Sequence, residues 1–248
     1  MLFDLQGPRK TFVKVIYLGL AILLAGGLVL FGIGSDVNGG LADLFGGGSR
    51  GQLQDQVETA EERVEKQPKN PEALAELIGA RYSLSGDKDN FNSETGEFSE
   101  EGKEQLELAK KNWETYLKLT NDKPDVTAAN YAVQVFLGLQ DAKGAMQAQE
   151  LITAQDPNSA NYLALMLYAL YSGDSLVATG AKQKARELAS KDQIDEINQQ
   201  IKQAEQEIGQ RNEQVQKQIQ EQFAQQQQNS QGGAPGNPFG GAGVGAGN

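Results

Sequence analysis

Residues 124–157 read PDVTAANYAVQVFLGLQDAKGAMQAQELITAQDP, and this stretch decides the fold. Apolar residues recur in it at the three- and four-residue spacing of a helix, in two blocks separated by Gln140-Asp141. These residues are Tyr131, Val135, Phe136 and Leu139, then Ala145, Ala148, Leu151 and Ile152. Pro124 opens the first block, and Pro157, 33 residues later, opens a third. The pattern predicts a helix, a short turn and a second helix, followed by another such pair.

Helical blocks continue on both sides of this pair. We predict further helices over residues 52–66, 70–85, 99–120, 157–173 and 174–190. Asn70-Pro71-Glu72 combines an N-cap, a proline at the first helical position and an early acid, which is typical of a helix start. The block that begins at Pro157 is apolar nearly all round and is predicted to be the most buried helix. Because Ala, Leu, Glu, Lys and Gln dominate and strand-forming residues are sparse, the predicted fold class is all-α.

The order and spacing of these blocks resemble the tetratricopeptide repeat (TPR), a helix–turn–helix unit of 34 residues. Ile78-Gly79 followed by Tyr82 is similar to the Leu-Gly-x-x-Tyr signature of the first helix, and Ala109 with Trp113 is similar to the small-then-aromatic pair of the second. Phe136, Ala145 and Pro157 fall at the expected offsets of the next unit. The pattern is degenerate, since residues 86–98 are inserted between the two helices of the first pair. The alternative is an irregular helical bundle.

The resemblance implies where a partner would bind. In a TPR-like domain over residues 52–190, stacked helical pairs share one core and curve into a superhelix. First helices line its inner wall, where a peptide or a partner helix could bind. The positions that the resemblance places on this wall are Glu76, Ala80, Asn130, Gln134, Tyr162 and Met166. Tyr162 and Met166 fit a place in the core equally well.

The N-terminal region contains an uncharged run of twenty residues, Val15 to Gly34. As a helix this run would be about 30 Å long, the thickness of a bilayer's hydrocarbon core. Arg9, Lys10 and Lys14 precede it. Positive residues stay on the cytoplasmic side, so residues 1–14 are predicted to be cytoplasmic and the rest extracytoplasmic. The sequence thus predicts a single-pass transmembrane helix over residues 15–34 in the cell (inner) membrane, and it resembles bacterial membrane-anchored TPR proteins.

Three segments lie outside the predicted repeat domain and its anchor. Residues 35–51 are Gly-rich and are expected to form a linker. Residues 191–228 are predicted to form one long Gln-rich helix. Its Ile-rich first half is expected to cap the last repeat rather than to form a stable coiled coil, and its second half to project, pair with a second copy or fray. Residues 229–248 are rich in Gly and Asn and are expected to be a disordered tail.

Composition excludes several classes of chemistry. The chain has no His and no Cys, which removes disulfides, thiol nucleophiles, His-based triads and the usual zinc sites. Its net charge of −11 disfavours nucleic acid as a partner. No phosphate-binding loop or nucleophile motif is visible, so no enzyme activity and no cofactor are predicted.

The insert at residues 86–98 is the closest approach to a metal-binding motif. Its candidate oxygen ligands are Asp87, Asp89, Asn92, Glu94 and Glu97. In an EF-hand register, however, Phe91 would occupy the fifth position and Asn92 would stand where glycine is needed. We therefore predict no metal site but an ordered polar loop, with Phe91 or Phe98 packed against the helices.

These features predict a non-catalytic, membrane-tethered adaptor at the cell envelope. Its expected partners are other envelope or membrane proteins or peptides, together with the lipid bilayer through residues 15–34. The alternative is a structural spacer that forms homo-oligomers through the transmembrane and C-terminal helices.

Overall fold

The computed structural model describes residues 49–231, and in this range the chain is all-α apart from one short hairpin. The predicted cytoplasmic segment, the transmembrane helix at 15–34, the linker up to residue 48 and the tail beyond residue 231 lie outside the described residues. Among residues 49–231, no helix combines the length and the apolar character that crossing a bilayer requires.

Eight helices make up the described part of the chain. They are α1 (Arg50–Lys66), α2 (Pro71–Ser85), α3 (Glu100–Thr120), α4 (Val126–Gly138), α5 (Ala142–Gln155), α6 (Ser159–Ser172), α7 (Ser175–Leu188) and α8 (Ile194–Gln231). Strands β1 (Phe91–Asn92) and β2 (Glu97–Phe98) lie between α2 and α3 and pair antiparallel, with Phe91 opposite Phe98.

The helices begin where a short polar side chain can accept hydrogen bonds from the free N–H groups of the first turn. Side chains in this role are Asn70, Ser99, Asp125, Asp141, Asn158 and Asp174. The Asn70 side chain, for example, accepts a bond of 2.9 Å from the Glu72 N–H, and Pro71 follows it as the first helical residue. The predicted start of α2 is therefore confirmed.

Two of the predicted helix starts were placed slightly too early. Pro124 and Pro157 do not open helices, because each stands before an N-cap residue, Asp125 and Asn158 respectively. The Asp125 carboxylate accepts from Thr127 N at 2.8 Å and from Ala128 N at 3.2 Å. Since these bonds satisfy the first turn, the helix begins after the aspartate rather than at the proline.

Each of the helices α1 to α6 packs against the next one along the chain, and α2 also packs against α4. The main hydrophobic core runs through them and continues to the first turns of α8. Its most deeply buried large side chains are Ile78, Leu106, Val135, Ile152, Leu163, Met166 and Ile201. A smaller cluster, Val57, Ala60, Leu77, Ala80 and Leu84, holds α1 against α2.

The prediction that the helix after Pro157 is the most buried was wrong. In α2, ten of fifteen residues are buried, whereas in α6 eight of fourteen are. The reason is that α1, α3 and α4 all pack on α2. An apolar helix surface shows which residues can be buried, but the number of neighbouring helices decides how many are.

The insert at 86–98 is ordered by one buried asparagine. Asn90 is 1% exposed, and its side chain donates to the Leu84 carbonyl at 2.9 Å and accepts from the Ser99 hydroxyl at 3.2 Å. The Phe91 and Phe98 rings lie 4.8 Å apart, and Phe98 packs on the main core. The predicted ordered loop with a phenylalanine packed on the helices is confirmed, although it contains two short strands that the sequence did not predict.

The chain divides into two compact units, one ending at Glu205 and the other beginning at Gln206. The first unit contains α1 to α7 and the first turns of α8, where Ile197, Ile201 and Ala204 are buried. Two side-chain contacts join α7 to this part of α8, namely Lys182 to Glu205 at 2.6 Å and Arg186 to Asn198 at 2.8 Å. Within the described residues, the second unit is the remainder of α8.

The N-cap at Asp141 gives a testable pH dependence. Burial would raise the pKa of Asp141, but the Gly144 N–H at 2.8 Å and the Lys110 ammonium at 3.2 Å outweigh it, and the pKa lies below its ordinary value. Stability from this charge is therefore present above the unfolded pKa of about 3.9 and is lost as the pH falls through the folded pKa.

Asp141→Asn keeps the cap but removes the titrating charge. We expect the wild-type chain to be more stable than this variant near neutral pH, and the difference to shrink as the pH falls below about 3.9. Urea unfolding at several pH values measures this difference. A difference that stays constant across this range would contradict the assignment.

Candidate partner-binding groove

An open groove of about 730 Å³ lies between α1, α2 and the first turns of α4. Its size falls in the range of ordinary ligand sites. The residues that line it are Asp55, Gln56, Thr59, Ala60 and Arg63 on α1, Ala75, Glu76, Gly79, Ala80 and Ser83 on α2, and Asp125, Thr127, Ala128 and Tyr131 at α4.

Small side chains give the groove its depth. Where α2 meets α4, Gly79 lies directly against the Tyr131 ring, and a Cβ added at Gly79 would come within 3.0 Å of a ring carbon. Glycine at position 79 therefore allows Tyr131 to rest on α2. Tyr131 is half-buried and faces the groove, and its ring centroid lies 6.1 Å from that of the buried Tyr82. One wall of the groove is thus aromatic, and four alanines and a glycine are among its other lining residues.

Three carboxylates and one guanidinium line the groove. Arg63 on α1 forms an ion pair with Glu76 on α2, and both side chains remain substantially exposed at 41% and 53%. Asp125 uses its carboxylate to cap α4. In the described part of the chain, no lysine or arginine lies within ion-pair distance of Asp55 or Asp125. The lining residues carry a net negative charge.

The structure brings two of the six predicted partner-binding residues into this groove. Glu76 and Ala80 line it, as expected for residues on the first helix of a pair. On α4, Asn130 is exposed and Gln134 is half-buried, but neither lines the groove, because Tyr131 and Ala128 face it instead. The face of α4 that lines the groove is therefore shifted by one residue from the predicted face, which is a rotation of about 100° around the helix axis.

The remaining two predicted residues lie on α6, away from this groove. Met166 is 1% exposed and belongs to the main core, so its side chain is not available to a partner. Tyr162 is half-buried and packs against the same core. Met166 and Tyr162 are covered because α6 is apolar on most sides and packs against both α5 and α7.

The wall formed by α1 was missed at the sequence level. The buried stripe of α1 runs through Val57 and Ala60. Gln56, Thr59 and Arg63 lie beside that stripe at helical spacing, and these residues face the groove. The spacing alone shows that they share one face of the helix. It does not show that α4 stands across from them.

A second cavity, of about 250 Å³, lies between α3 and α5. Trp113 and Phe136 contribute to its lining, and Lys110 lies 5.6 Å above the Phe136 ring and 3.2 Å from the Asp141 carboxylate. This cavity has about a third of the volume of the groove, Lys110 in it is already paired with Asp141, and Trp113 is only 3% exposed, so it offers a partner less than the groove does.

The polar side chains of the groove are hydroxyls, three carboxylates, one amide and one guanidinium. Its hydroxyl groups, on Thr59, Ser83 and Thr127, have no histidine beside them, since the chain has none. Among the described residues, no three acidic side chains come close enough to hold a metal ion, and this includes those of the 86–98 insert. In that insert Asn92 instead accepts the N–H groups of Glu94 and Thr95.

A scan against protein-family models found no match, and neither did searches of curated proteins and of solved structures. Evidence for function therefore comes from this chain's own residues and geometry.

Proposed function

We propose that this chain is a non-catalytic, membrane-tethered adaptor that binds a segment of another envelope or membrane protein in the groove between α1, α2 and α4. The observation that carries the proposal is the groove itself, about 730 Å³ in volume and lined by small side chains, one aromatic ring and polar walls. Concave surfaces that combine apolar contact area with a few polar groups are the usual sites of recognition.

A TPR-like arrangement of the helices is part of the proposal. The packing of α2 on α3, α4 on α5 and α6 on α7, with α2 also on α4, is consistent with stacked helical pairs. The close contact of Gly79 with Tyr131 supports it, because the Leu-Gly-x-x-Tyr-like signature then has a structural role between neighbouring pairs. In this arrangement the buried Ile197, Ile201 and Ala204 of α8 cap the last pair. An irregular bundle is the alternative.

The anchor and topology are also proposed. Residues 15–34 would cross the inner membrane once with the N-terminus in the cytoplasm, as their uncharged sequence and the preceding Arg9, Lys10 and Lys14 suggest. The groove would then face partners outside the cytoplasm.

A structural spacer is the second candidate, and the length of α8 favours it. This helix continues to Gln231, well beyond the end of the first compact unit at Glu205. The two candidates differ in oligomeric state, because a spacer needs the segment after Glu205 to associate and an adaptor does not. A chain ending at Glu205 keeps the buried Ile197 and Ile201, so it separates association from folding better than a shorter chain would.

The adaptor proposal is tested by crosslinking in living cells. A photo-crosslinking residue is placed at Thr59 on the α1 wall or at Thr127 on the α4 wall, both exposed in the groove. Gln54 and Glu107 serve as matched positions because they are exposed but lie outside it. We expect the same protein, identified by mass spectrometry, to be captured from both walls and from neither control. Capture of nothing from the walls, or of the same products from the controls, would count against the adaptor.

A further inference from the structure

We infer that the segment bound in the groove is cationic and amphipathic, with small or aliphatic side chains on the groove floor and Lys or Arg side chains directed at Asp55 and Asp125. This inference rests on the proposed function and adds the chemistry of the partner.

The floor of the groove favours apolar side chains on a bound segment. Ala60, Gly79, Ala80 and Ala128 come from all three helices and leave an open space rather than filling it. These four residues are themselves nearly covered, with Ala60, Ala80 and Ala128 at most 9% exposed, and the half-buried Tyr131 ring adds an aromatic face beside them. A bound side chain that removes this surface from water gains about 25 cal/mol for each Å² buried. Methyl-sized groups on the floor also allow close approach of a partner's backbone.

The carboxylates on the groove walls favour positively charged side chains on a bound segment. Asp55 on α1 and Asp125 at the start of α4 line the groove from different helices, and in the described residues neither has a cation within ion-pair distance. One oxygen of the Asp125 carboxylate, Oδ1, accepts the backbone N–H groups of Thr127 and Ala128. Carboxylates beside a low-dielectric surface in a cleft concentrate negative potential more than carboxylates on an open helix face. The third carboxylate, Glu76, is already neutralised by Arg63.

Two occupants from this chain fit the groove less well. Residues 232–248 contain no ionisable side chain, so they supply no partner for Asp55 or Asp125. A second copy of the chain carries a net charge of −11 and would be repelled electrostatically. Charge complementarity therefore favours a separate, basic segment.

Peptide binding to the full-length chain tests this inference. The probe is a fluorescent synthetic peptide of about 14 residues, roughly four helical turns, with one Leu/Ala face and one Lys face. A second peptide has Glu at every Lys position. Affinities are measured by fluorescence anisotropy for the wild-type chain, for the D55N/D125N variant and for the E104Q/E107Q variant. The change at Asp125 is expected to preserve the cap of α4, because asparagine is as good an N-cap as aspartate.

The E104Q/E107Q variant is the matched control. It removes two charges as well, from exposed positions on α3 that do not line the groove. We expect the Lys peptide to bind and the Glu peptide not to bind. Binding of the Lys peptide should weaken about tenfold in D55N/D125N, since two exposed ion pairs with the peptide are lost, and less than about twofold in E104Q/E107Q.

Several results would overturn the inference. If the Glu peptide bound as well as the Lys peptide, the groove would recognise apolar surface alone. Equal weakening in both variants would show attraction to the chain's overall charge, and failure of both peptides to bind would also count against a cationic partner. The inference would also be wrong if the segment crosslinked to position 59 lacked basic residues or came from this chain itself. Crosslinking from the groove walls decides separately whether the adaptor function stands.

Discussion

Replacing Ile201 with alanine is expected to destabilise the first compact unit by about 2–5 kcal/mol, the usual cost of truncating a fully buried isoleucine. Ile201 is 1% exposed and lies in the main core, with Ile197 and Ala204 on the same face of α8. The substitution removes apolar area from the core and leaves a cavity where the first turns of α8 contribute to it. The start of α8 is therefore predicted to be an essential part of the folded unit.

Val215→Ala is the control for this prediction. Val215 lies on the same helix, two heptads further on, in the second compact unit, and is only half-buried. We expect it to change the free energy of unfolding by less than about 1 kcal/mol. Urea unfolding can be followed by the fluorescence of Trp113, the single tryptophan, which is 3% exposed in the core. If Ile201→Ala and Val215→Ala lowered the free energy of unfolding equally, the boundary of the folded unit would lie beyond Glu205.

Gly144→Ala is expected to destabilise the chain by about 1–3 kcal/mol, although alanine is the better helix former. A Cβ at position 144 would lie within 2.7 Å of three carbons of the Phe136 ring, which is closer than van der Waals contact allows. The ring is 7% exposed in the core between α4 and α5, so it cannot move without disturbing its neighbours. The methyl group therefore forces α5 away from α4 or displaces Phe136.

Gly180→Ala provides a matched substitution with the opposite expectation. Gly180 lies in the middle of α7, is exposed, and has no atom within 4 Å of an added Cβ. There the change should stabilise the chain by about 0.5–1 kcal/mol, since it reduces the freedom of the unfolded backbone. Urea unfolding measures both variants. If Gly144→Ala and Gly180→Ala changed the free energy of unfolding in the same direction, the packing of Phe136 on Gly144 would be contradicted.

Much of the helical architecture could be predicted because its signals are local. Asn70, Ser99, Asp141 and Asp174 mark helix starts by a hydrogen bond that spans only two or three residues. The errors at Pro124 and Pro157 came from a real ambiguity, since proline is also common just before a cap. The two-residue strands of the insert are too short to show a period of two in the sequence.

The groove was harder to predict because it depends on which helices meet. Glu76 and Ala80 were found since they lie on α2, a first helix of a pair by the TPR resemblance. Thr59 and Tyr131 were missed for two different reasons. The resemblance assigned no wall to α1, which precedes the first pair. On α4 a rotation of about one residue exchanged Asn130 for Tyr131, and the amino-acid pattern of a helix with apolar residues on most sides does not resolve that rotation.

The central claim is that a partner binds between α1, α2 and α4, and it is tested most directly by filling the groove. Thr59→Trp places a large side chain on the exposed α1 wall, and Gln54→Trp places one on an exposed position outside the groove. The photo-crosslinker stays at Thr127 on the opposite wall in both variants. We predict that the crosslinked partner is lost in T59W and retained in Q54W at equal protein levels. Retention of the product in T59W, or equal loss in both variants, would show that the partner binds elsewhere.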